Sequence, residues 1–213
     1  MKIDCIVGMS LDARIDWIKS IQELQEIYYG IVMKSTYDAM ICGSTTMLKA
    51  QYDENNTAKY SSQTLIVIDS EGKVSNWPII KKQAWWNDNP IVLCSNNTPK
   101  TYLKTLEEHH IKYLITGRDK IDLSESVKIL ENKNNIKTLR IDSGGILLGK
   151  MIREKLVNRI TTVIVPQLTG GNSSKSIFTA DDLTNIDDVT VLKLLSIQQI
   201  KENYVVLEYE IQY

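Results

Sequence analysis

The chain has 213 residues, of which 43% are hydrophobic and 24% charged, and its formal net charge is −1 at pH 7. These values are typical of a globular protein, and the length allows one domain, or two small ones, with a real core. A net charge so close to zero argues against nucleic acid as the main partner. No apolar stretch approaches the roughly 18–20 residues of a membrane span. We therefore expect neither a nucleic-acid partner nor membrane insertion.

The three cysteines, Cys5, Cys42 and Cys94, are odd in number and lie in apolar runs. This usage indicates reduced, buried thiols of a cytoplasmic protein and not a disulfide framework. Charged residues interrupt the N-terminal apolar run, which favours a strand over a signal peptide. With two adjacent histidines and no Cys-x-x-Cys pair, we expect no metal site.

In the first half, apolar runs predict strands over residues 3–9, 38–42 and 64–69. Ser20 and Glu23 form a capping box, and the following helix carries apolar residues at helical spacing, Tyr28 among them. The stretch 74–89 contains three tryptophans without a clear period, and we interpret it as an irregular excursion.

The second half alternates more regularly between strand and helix patterns. Strands are predicted over 91–94, 111–116, 139–141 and 160–165. Thr98 is the expected cap of one helix, and Asp122 with Glu125 opens another. Two long strands follow over 189–200 and 204–213. In the last strand the odd-numbered apolar residues alternate strictly, which predicts a half-buried antiparallel strand with that face inward.

The pattern as a whole predicts one α/β domain over residues 1–213. Strand–helix alternation indicates a mixed, mostly parallel central sheet flanked by helices, and the last two strands finish it as an antiparallel hairpin. No repeats or linkers appear.

Four predicted strand ends are small and polar, at residues 8–12, 43–46, 69–73 and 142–145. In open α/β sheets, ligands bind beyond the carboxyl ends of the strands. At Asp142-Ser-Gly-Gly145 a strand turns into a helix start, where free backbone N–H groups favour a phosphate. No nucleophile–base pair stands out, so the pattern favours a nucleotide site whose chemistry a cofactor supplies.

Several ordered blocks resemble one known family. They are Met9-Ser-Leu-Asp-Ala-Arg-Ile15, Asp38-Ala-Met-Ile-Cys-Gly-Ser-Thr-Thr46, the strand ending at Asp69, residues 115–123, Ile141-Asp-Ser-Gly-Gly145 and Val165-Pro-Gln-Leu-Thr-Gly-Gly171. The chain resembles the dihydrofolate-reductase-like family that includes the C-terminal reductase domain of the bifunctional riboflavin-biosynthesis deaminase/reductase. It is most similar to the stand-alone members of that family.

The resemblance implies a dihydrofolate-reductase-like fold, NADPH as cofactor, a small-molecule substrate and a homodimer. The cofactor-binding residues that it implies are Gly43, Ser44, Thr45, Asp69, Ser70, Lys73, Ser143, Gly144, Gly145, Ile146 and Leu147. The catalytic residues, facing the substrate near the nicotinamide, would be Asp142, Arg14, Asp12 and Thr46. Ser143 to Ile146 would approach the pyrophosphate, and Lys73 would suit the 2′-phosphate.

Three functional hypotheses that involve a nucleotide stay open at this point, beside a plain oligomerising α/β domain without a nucleotide, for which all four polar strand ends would be coincidental. The first is an NADPH-dependent reductase that transfers a hydride to a heterocyclic or sugar-linked substrate, by resemblance 5-amino-6-(5-phosphoribosylamino)uracil. A reductase of dihydrofolate or another pteridine is the alternative within enzymes. The third is an idle NADPH-binding protein, because Asp142-Ser-Gly-Gly145 stands where the family has Glu-Gly-Gly-Gly.

Overall fold

The structure is a computed structural model that describes residues 1–19, 21–56, 61–172 and 175–213. Contacts divide the chain into two compact units. The middle unit comprises Met1 and Tyr37–Leu139, and the terminal unit comprises Lys2–Thr36 and Arg140–Tyr213. A single domain over 1–213 therefore stays a prediction. The predicted capping residue Ser20 lies outside the described residues.

The middle unit alternates strands with helices. Its elements are β2 (Ala39–Gly43), α2 (Ser44–Lys49), β3 (Thr64–Ile68), α3 (Trp77–Ile80), β4 (Ile91–Cys94), α4 (Lys100–Glu108), β5 (Lys112–Ile115) and α5 (Leu123–Asn134). The strands pair in the order β5-β4-β3-β2, and all three pairings are parallel. Because both faces of these strands are covered, β4 is buried along its whole length. Asp122 caps α5 by accepting a hydrogen bond from Glu125 N, which confirms the predicted helix start.

One local prediction in the middle unit is confirmed only in part, and one is wrong. The stretch with the tryptophans contains the short helix α3, whose Trp77 is fully buried in the core beneath β3 and β4. Thr98 does not cap α4, since the residue before that helix is Pro99 and no side chain caps it. The Thr98 hydroxyl instead accepts from Ser95 N and donates to Ser70 O, at 2.9 Å each. The Thr98 hydroxyl thus makes tertiary contacts instead of capping α4.

The terminal unit is built around two parallel strands and a hairpin. Its elements are β1 (Lys2–Ser10), α1 (Ile21–Val32), α6 (Gly145–Arg153), β7 (Arg159–Val165), a 3₁₀ turn (Ile186–Asp188), β8 (Val191–Ile200) and β9 (Tyr204–Gln212). The order is β1-β7-β9-β8, with β1 parallel to β7 and β9 antiparallel to both β7 and β8. A ninth strand, β6 (Thr138–Ile141), runs from the middle unit into the terminal unit.

The C-terminal hairpin is confirmed, but its inward face is not the predicted one along its whole length. In β9 the buried residues are Tyr204, Val206 and Ile211, so the even face is buried first and the odd face only near the end. The partner strand β8 is exposed almost throughout, with Val191 61% and Ile197 62% exposed. Alternation in β9 therefore did not identify its buried face.

The α/β class with mostly parallel strands and a final antiparallel hairpin is confirmed. Across the described part of the chain, no helix has the length and apolar character required to cross a membrane.

Candidate active site

In the terminal unit, the turn after β1 carries two of the predicted substrate residues, Asp12 and Arg14. Asp12 Oδ1 accepts hydrogen bonds from Ser10 Oγ at 2.6 Å and from Thr169 N at 3.1 Å, and Oδ2 accepts from Gly170 N at 2.7 Å. The Ser10 hydroxyl and then these two backbone N–H groups lower the pKa of Asp12 to about 2. Arg14 Nε lies 4.0 Å from Asp12 Oδ2. Asp12 thus connects the turn after β1 with the turn that contains Thr169 and Gly170.

The turn that contains Asp12 has a left-handed residue at Ala13, with φ of 60°. The backbone of Ala13 is held on both sides, because its N–H donates to Ser10 O and its carbonyl accepts from Ile177 N. A Cβ at this φ is strained, so only the surrounding hydrogen bonds keep an alanine there.

The start of α6 lies directly after Asp142, where the sequence predicted a phosphate seat. Gly144 is the N-cap and Gly145 takes a φ of 62°, but no side chain caps the helix. Gly145 N donates to Ile177 O at 2.8 Å. Among the described residues, no protein group accepts a hydrogen bond from the backbone N–H of Ile146 or Leu147. These two donors at the positive end of a helix can bind an anion.

A short segment, Lys175 to Thr179, packs on this helix start. Ile15 N donates to Lys175 O, and Thr179 N donates to Gly145 O. A Cβ at Gly144 would lie 3.2 Å from Ile15 Cδ1, and one at Gly149 would lie 2.1 Å from Thr179 O. Gly149 therefore leaves room for the backbone of this segment and Gly144 for the Ile15 side chain, roles that the sequence did not indicate.

Asp142 belongs to a hydrogen-bonded network that sequence reasoning missed. Tyr28 of α1 donates its hydroxyl proton to Asp142 Oδ1, and Arg140 Nη1 donates to Tyr28 Oη at 2.6 Å. Arg140 Nη1 also lies 3.3 Å from Asp142 Oδ1. Burial, and then the negative charge of Asp142, raise the pKa of Tyr28 well above its usual value, so the phenol stays protonated. No sequence signal links Tyr28 with residues more than 100 positions away.

In the middle unit, the end of β2 carries Gly43, Ser44, Thr45 and Thr46. Ser44 opens α2 with Gly43 as its N-cap, so the predicted loop is the first turn of a helix. A Cβ at Gly43 would meet no other heavy atom of the described residues within 4 Å. Thr45 and Thr46 are exposed. The protein's own packing therefore does not need a glycine at 43, and open space lies beside it.

The turn after β3 contains the other predicted cofactor residues of the middle unit. Asp69 is 1% exposed, and its two carboxylate oxygens accept from Lys73 N at 3.0 Å and Val74 N at 2.8 Å. Lys73 Nζ pairs with Glu71 Oε2 at 2.6 Å on the surface, and this partner raises the pKa of Lys73. Asp69 thus shapes the turn, while the Lys73 ammonium stays accessible.

Comparison with solved structures defines the class of protein. RibD from Acinetobacter baumannii matches with a TM-score of 0.72 at 19% identity, over 99% of this chain and 58% of that one. The riboflavin biosynthesis reductase Rib7 from Saccharomyces cerevisiae matches with 0.66 at 20% identity, over 99% and 90%. Dihydrofolate reductase from Enterococcus faecalis matches with 0.51 at 10% identity, over 100% and 97%. The predicted dihydrofolate-reductase-like fold is confirmed.

The chain belongs to the RibD C-terminal domain family, whose sequence profile matches residues 2–206. The riboflavin biosynthesis protein RibD from Buchnera aphidicola is 32% identical over 93 residues, which are 43% of this chain and 24% of that protein. The chain thus spans about a quarter of that relative and 58% of the Acinetobacter protein. The resemblance in the sequence blocks is confirmed.

Proposed function

We propose that this chain is an NADPH-dependent reductase that transfers a hydride to a small heterocyclic or sugar-linked substrate. The substrate that we propose is 5-amino-6-(5-phosphoribosylamino)uracil or a close analogue. The observation that carries the proposal is the match of residues 2–206 to the RibD C-terminal domain, a family of reductases. The likeness to a yeast riboflavin biosynthesis reductase over 99% of this chain supports the fold that such a reaction needs.

In the terminal unit, we propose that Ile146 and Leu147 donate their backbone N–H groups to the NADPH pyrophosphate. Both donors lack an acceptor among the described residues, and the Ile146 side chain is 75% exposed. Ser143, Gly144 and Gly145 would form the approach to these donors. When bound, NADPH supplies the hydride from its nicotinamide ring, and the protein supplies orientation and electrostatics.

In the middle unit, we propose that Gly43, Ser44 and Thr45 line the cofactor and that Lys73 and Ser70 contact its 2′-phosphate. The open space beside Gly43 supports the first assignment. The exposed ammonium of Lys73 supports the second, with Asp69 shaping the turn that carries it. Replacing Lys73 by glutamine should weaken NADPH binding several-fold and leave NADH binding unchanged, since NADH has no 2′-phosphate.

On the substrate side of the terminal unit, we propose Asp142 as the main contact, with Arg14 as a further contact. For the middle unit, we propose Thr46 as a substrate residue. Asp142 is an anionic acceptor with 29% of its side chain exposed, which suits amino or ring N–H groups. Asp12 would act through the turn that it holds, because Ser10, Thr169 and Gly170 already donate to its carboxylate. The proton that completes the reduction would come from water.

Two measurements test the function. Titration with NADPH and NADH, followed by tryptophan fluorescence, measures cofactor binding. NADPH consumption at 340 nm is then measured with the aminopyrimidine phosphate, a pterin and simple carbonyl compounds. We expect sub-millimolar NADPH binding and turnover with the aminopyrimidine. Binding without turnover would leave an idle NADPH-binding protein, turnover only with the pterin would favour a pteridine reductase, and no binding would refute the proposal.

We also propose that the protein is a cytoplasmic homodimer whose interface includes β8. This strand pairs only with β9 among the described strands, and its exposed side chains include Val191, Leu192, Leu194 and Ile197. An exposed, apolar edge strand favours pairing with another strand. The three free, buried cysteines are consistent with a reducing compartment. Light scattering should give a dimer for the wild type and a monomer for Ile197→Lys, and a wild-type monomer would refute the proposal.

A further inference from the structure

We propose that Tyr28 and Arg140 are positioning residues that hold one oxygen of Asp142 and leave the other for the substrate. This inference rests on the proposed function, because it gives Asp142 its substrate contact. It adds a helix residue and a strand residue that neither the sequence blocks nor the family match assigned to the site.

The geometry joins three side chains into one directed chain of hydrogen bonds. Arg140 Nη1 donates to Tyr28 Oη at 2.6 Å, and Tyr28 Oη donates in turn to Asp142 Oδ1. Arg140 Nη1 reaches the same Oδ1 at 3.3 Å. Arg140 lies in β6 and Asp142 is the first residue after it, so the alternation of side chains along a strand brings the two side chains to the same side. Hydrogen bonds arranged head to tail in this way polarise one another.

Burial makes this network costly to break. The Arg140 side chain is 6% exposed, so its charge needs a nearby anion, and Asp142 supplies it. Tyr28 lies under the guanidinium, with Arg140 Cζ 5.9 Å from its ring centroid, and Tyr29 packs edge-on against it. The Cys5 thiol of β1 faces the same charges, and burial, followed by the charge of Asp142, raises its pKa. The carboxylate of Asp142 is thus held in place by buried neighbours.

The other carboxylate oxygen is left for a ligand. Both groups that contact Asp142 contact Oδ1, and no described residue donates to Oδ2. The Asp142 side chain keeps 29% of its surface exposed. An acceptor that is fixed before the substrate arrives costs no reorganisation during the reaction. A carboxylate oxygen only accepts hydrogen bonds, so Oδ2 selects a hydrogen-bond donor and disfavours a phosphate or a carbonyl.

Kinetics of a double-mutant cycle test the positioning role. Tyr28→Phe removes one hydroxyl, and Tyr29→Phe removes the neighbouring hydroxyl of the same helix as a matched control. We expect Tyr28→Phe to lower kcat/KM for the aminopyrimidine about 10- to 100-fold, the range of one hydrogen bond to a charged group, with an unchanged Kd for NADPH. In an Asp142→Asn background, Tyr28→Phe should have almost no further effect.

Additive losses in that cycle would overturn the proposal, as would an equal loss from Tyr29→Phe. Arg140→Met, which keeps the volume and removes the charge, should mimic Tyr28→Phe. Arg140→Lys should restore part of the rate, since it keeps the charge.

A measurement on the cofactor-free protein separates this inference from the proposed function. With ¹³Cζ-labelled tyrosine at pH 7, the Tyr28 resonance, assigned through its loss in Tyr28→Phe, should shift in Asp142→Asn, because Tyr28 then loses its charged acceptor. The Tyr102 resonance serves as the control, since its charged neighbour is Asp69 and not Asp142. If the wild type consumes no NADPH but the Tyr28 shift is seen, the proposed reductase fails while the network stands. If Tyr28 does not respond to Asp142, the inference fails whatever the activity.

Discussion

Asp12 and Gly170 join two turns of the terminal unit: the backbone N–H of Gly170 donates to Asp12 Oδ2 at 2.7 Å. Thr169 N and Ser10 Oγ donate to the other oxygen. One carboxylate at the end of β1 therefore fixes the loop that follows β7, and these donors favour its charged form.

The Asp12 contacts predict a defined loss of stability in acid. The folded-state pKa of about 2 lies below the ordinary 3.8, so the carboxylate stabilises the fold above about pH 4 and this contribution is lost as the pH falls towards 2. Asp12→Asn should lower Tm at pH 6, and the difference from wild type should vanish near pH 2. Thermal unfolding from pH 2 to 6 measures this. A constant difference across that range would show that the charge of Asp12 is irrelevant.

The left-handed backbone at Ala13 predicts that glycine at this position stabilises the fold. Its φ of 60° costs an alanine roughly 1 kcal/mol, which a glycine avoids. Ala13→Gly should therefore raise the free energy of unfolding by up to about 1 kcal/mol, measured by urea denaturation. Ala50→Gly is the matched control, because Ala50 has an ordinary φ of −65° and the glycine there should destabilise. Destabilisation by both substitutions would contradict the strain at Ala13.

The close contact at Gly149 predicts that alanine at this position disrupts the packing of α6. A Cβ there would lie 2.1 Å from Thr179 O, so Gly149→Ala must displace the segment or the helix. We expect a loss of about 2 kcal/mol or more in the free energy of unfolding, within the range for overpacking. Gly30→Ala in α1 is the control, since no described residue has an atom within 4 Å of a Cβ there and alanine favours a helix. Equal effects at both glycines would refute the close contact at Gly149.

A larger residue at Gly43 should weaken cofactor binding without lowering the stability of the protein. Because a Cβ at Gly43 meets no heavy atom within 4 Å in the described part of the chain, Gly43→Val should leave Tm within a few degrees of the wild type. The added side chain should occupy the space proposed for NADPH and weaken its binding at least tenfold. Fluorescence titration measures the Kd. A stable variant with unchanged NADPH affinity would remove Gly43 from the cofactor site.

Sequence patterns correctly predicted those elements that depend only on residues close together in the chain. The buried strand over 91–94 is β4, and the Asp122 cap of α5 lies where its spacing with Glu125 predicted. The final hairpin was likewise predicted, because two long apolar strands around a short polar turn pair with each other. The family blocks pointed to the fold and to Asp142.

Tertiary structure alone decided which groups each side chain meets. Thr98 follows the rule for a helix cap, yet its hydroxyl bonds Ser95 N and Ser70 O. The glycine block after Asp142 has the form of a phosphate loop, yet Gly145 N donates to Ile177 O. Tyr28 was predicted only as one residue of a helix, and it donates to Asp142. Periodicity and capping depend on neighbours within a few residues, whereas these contacts join residues that only the folded chain brings together.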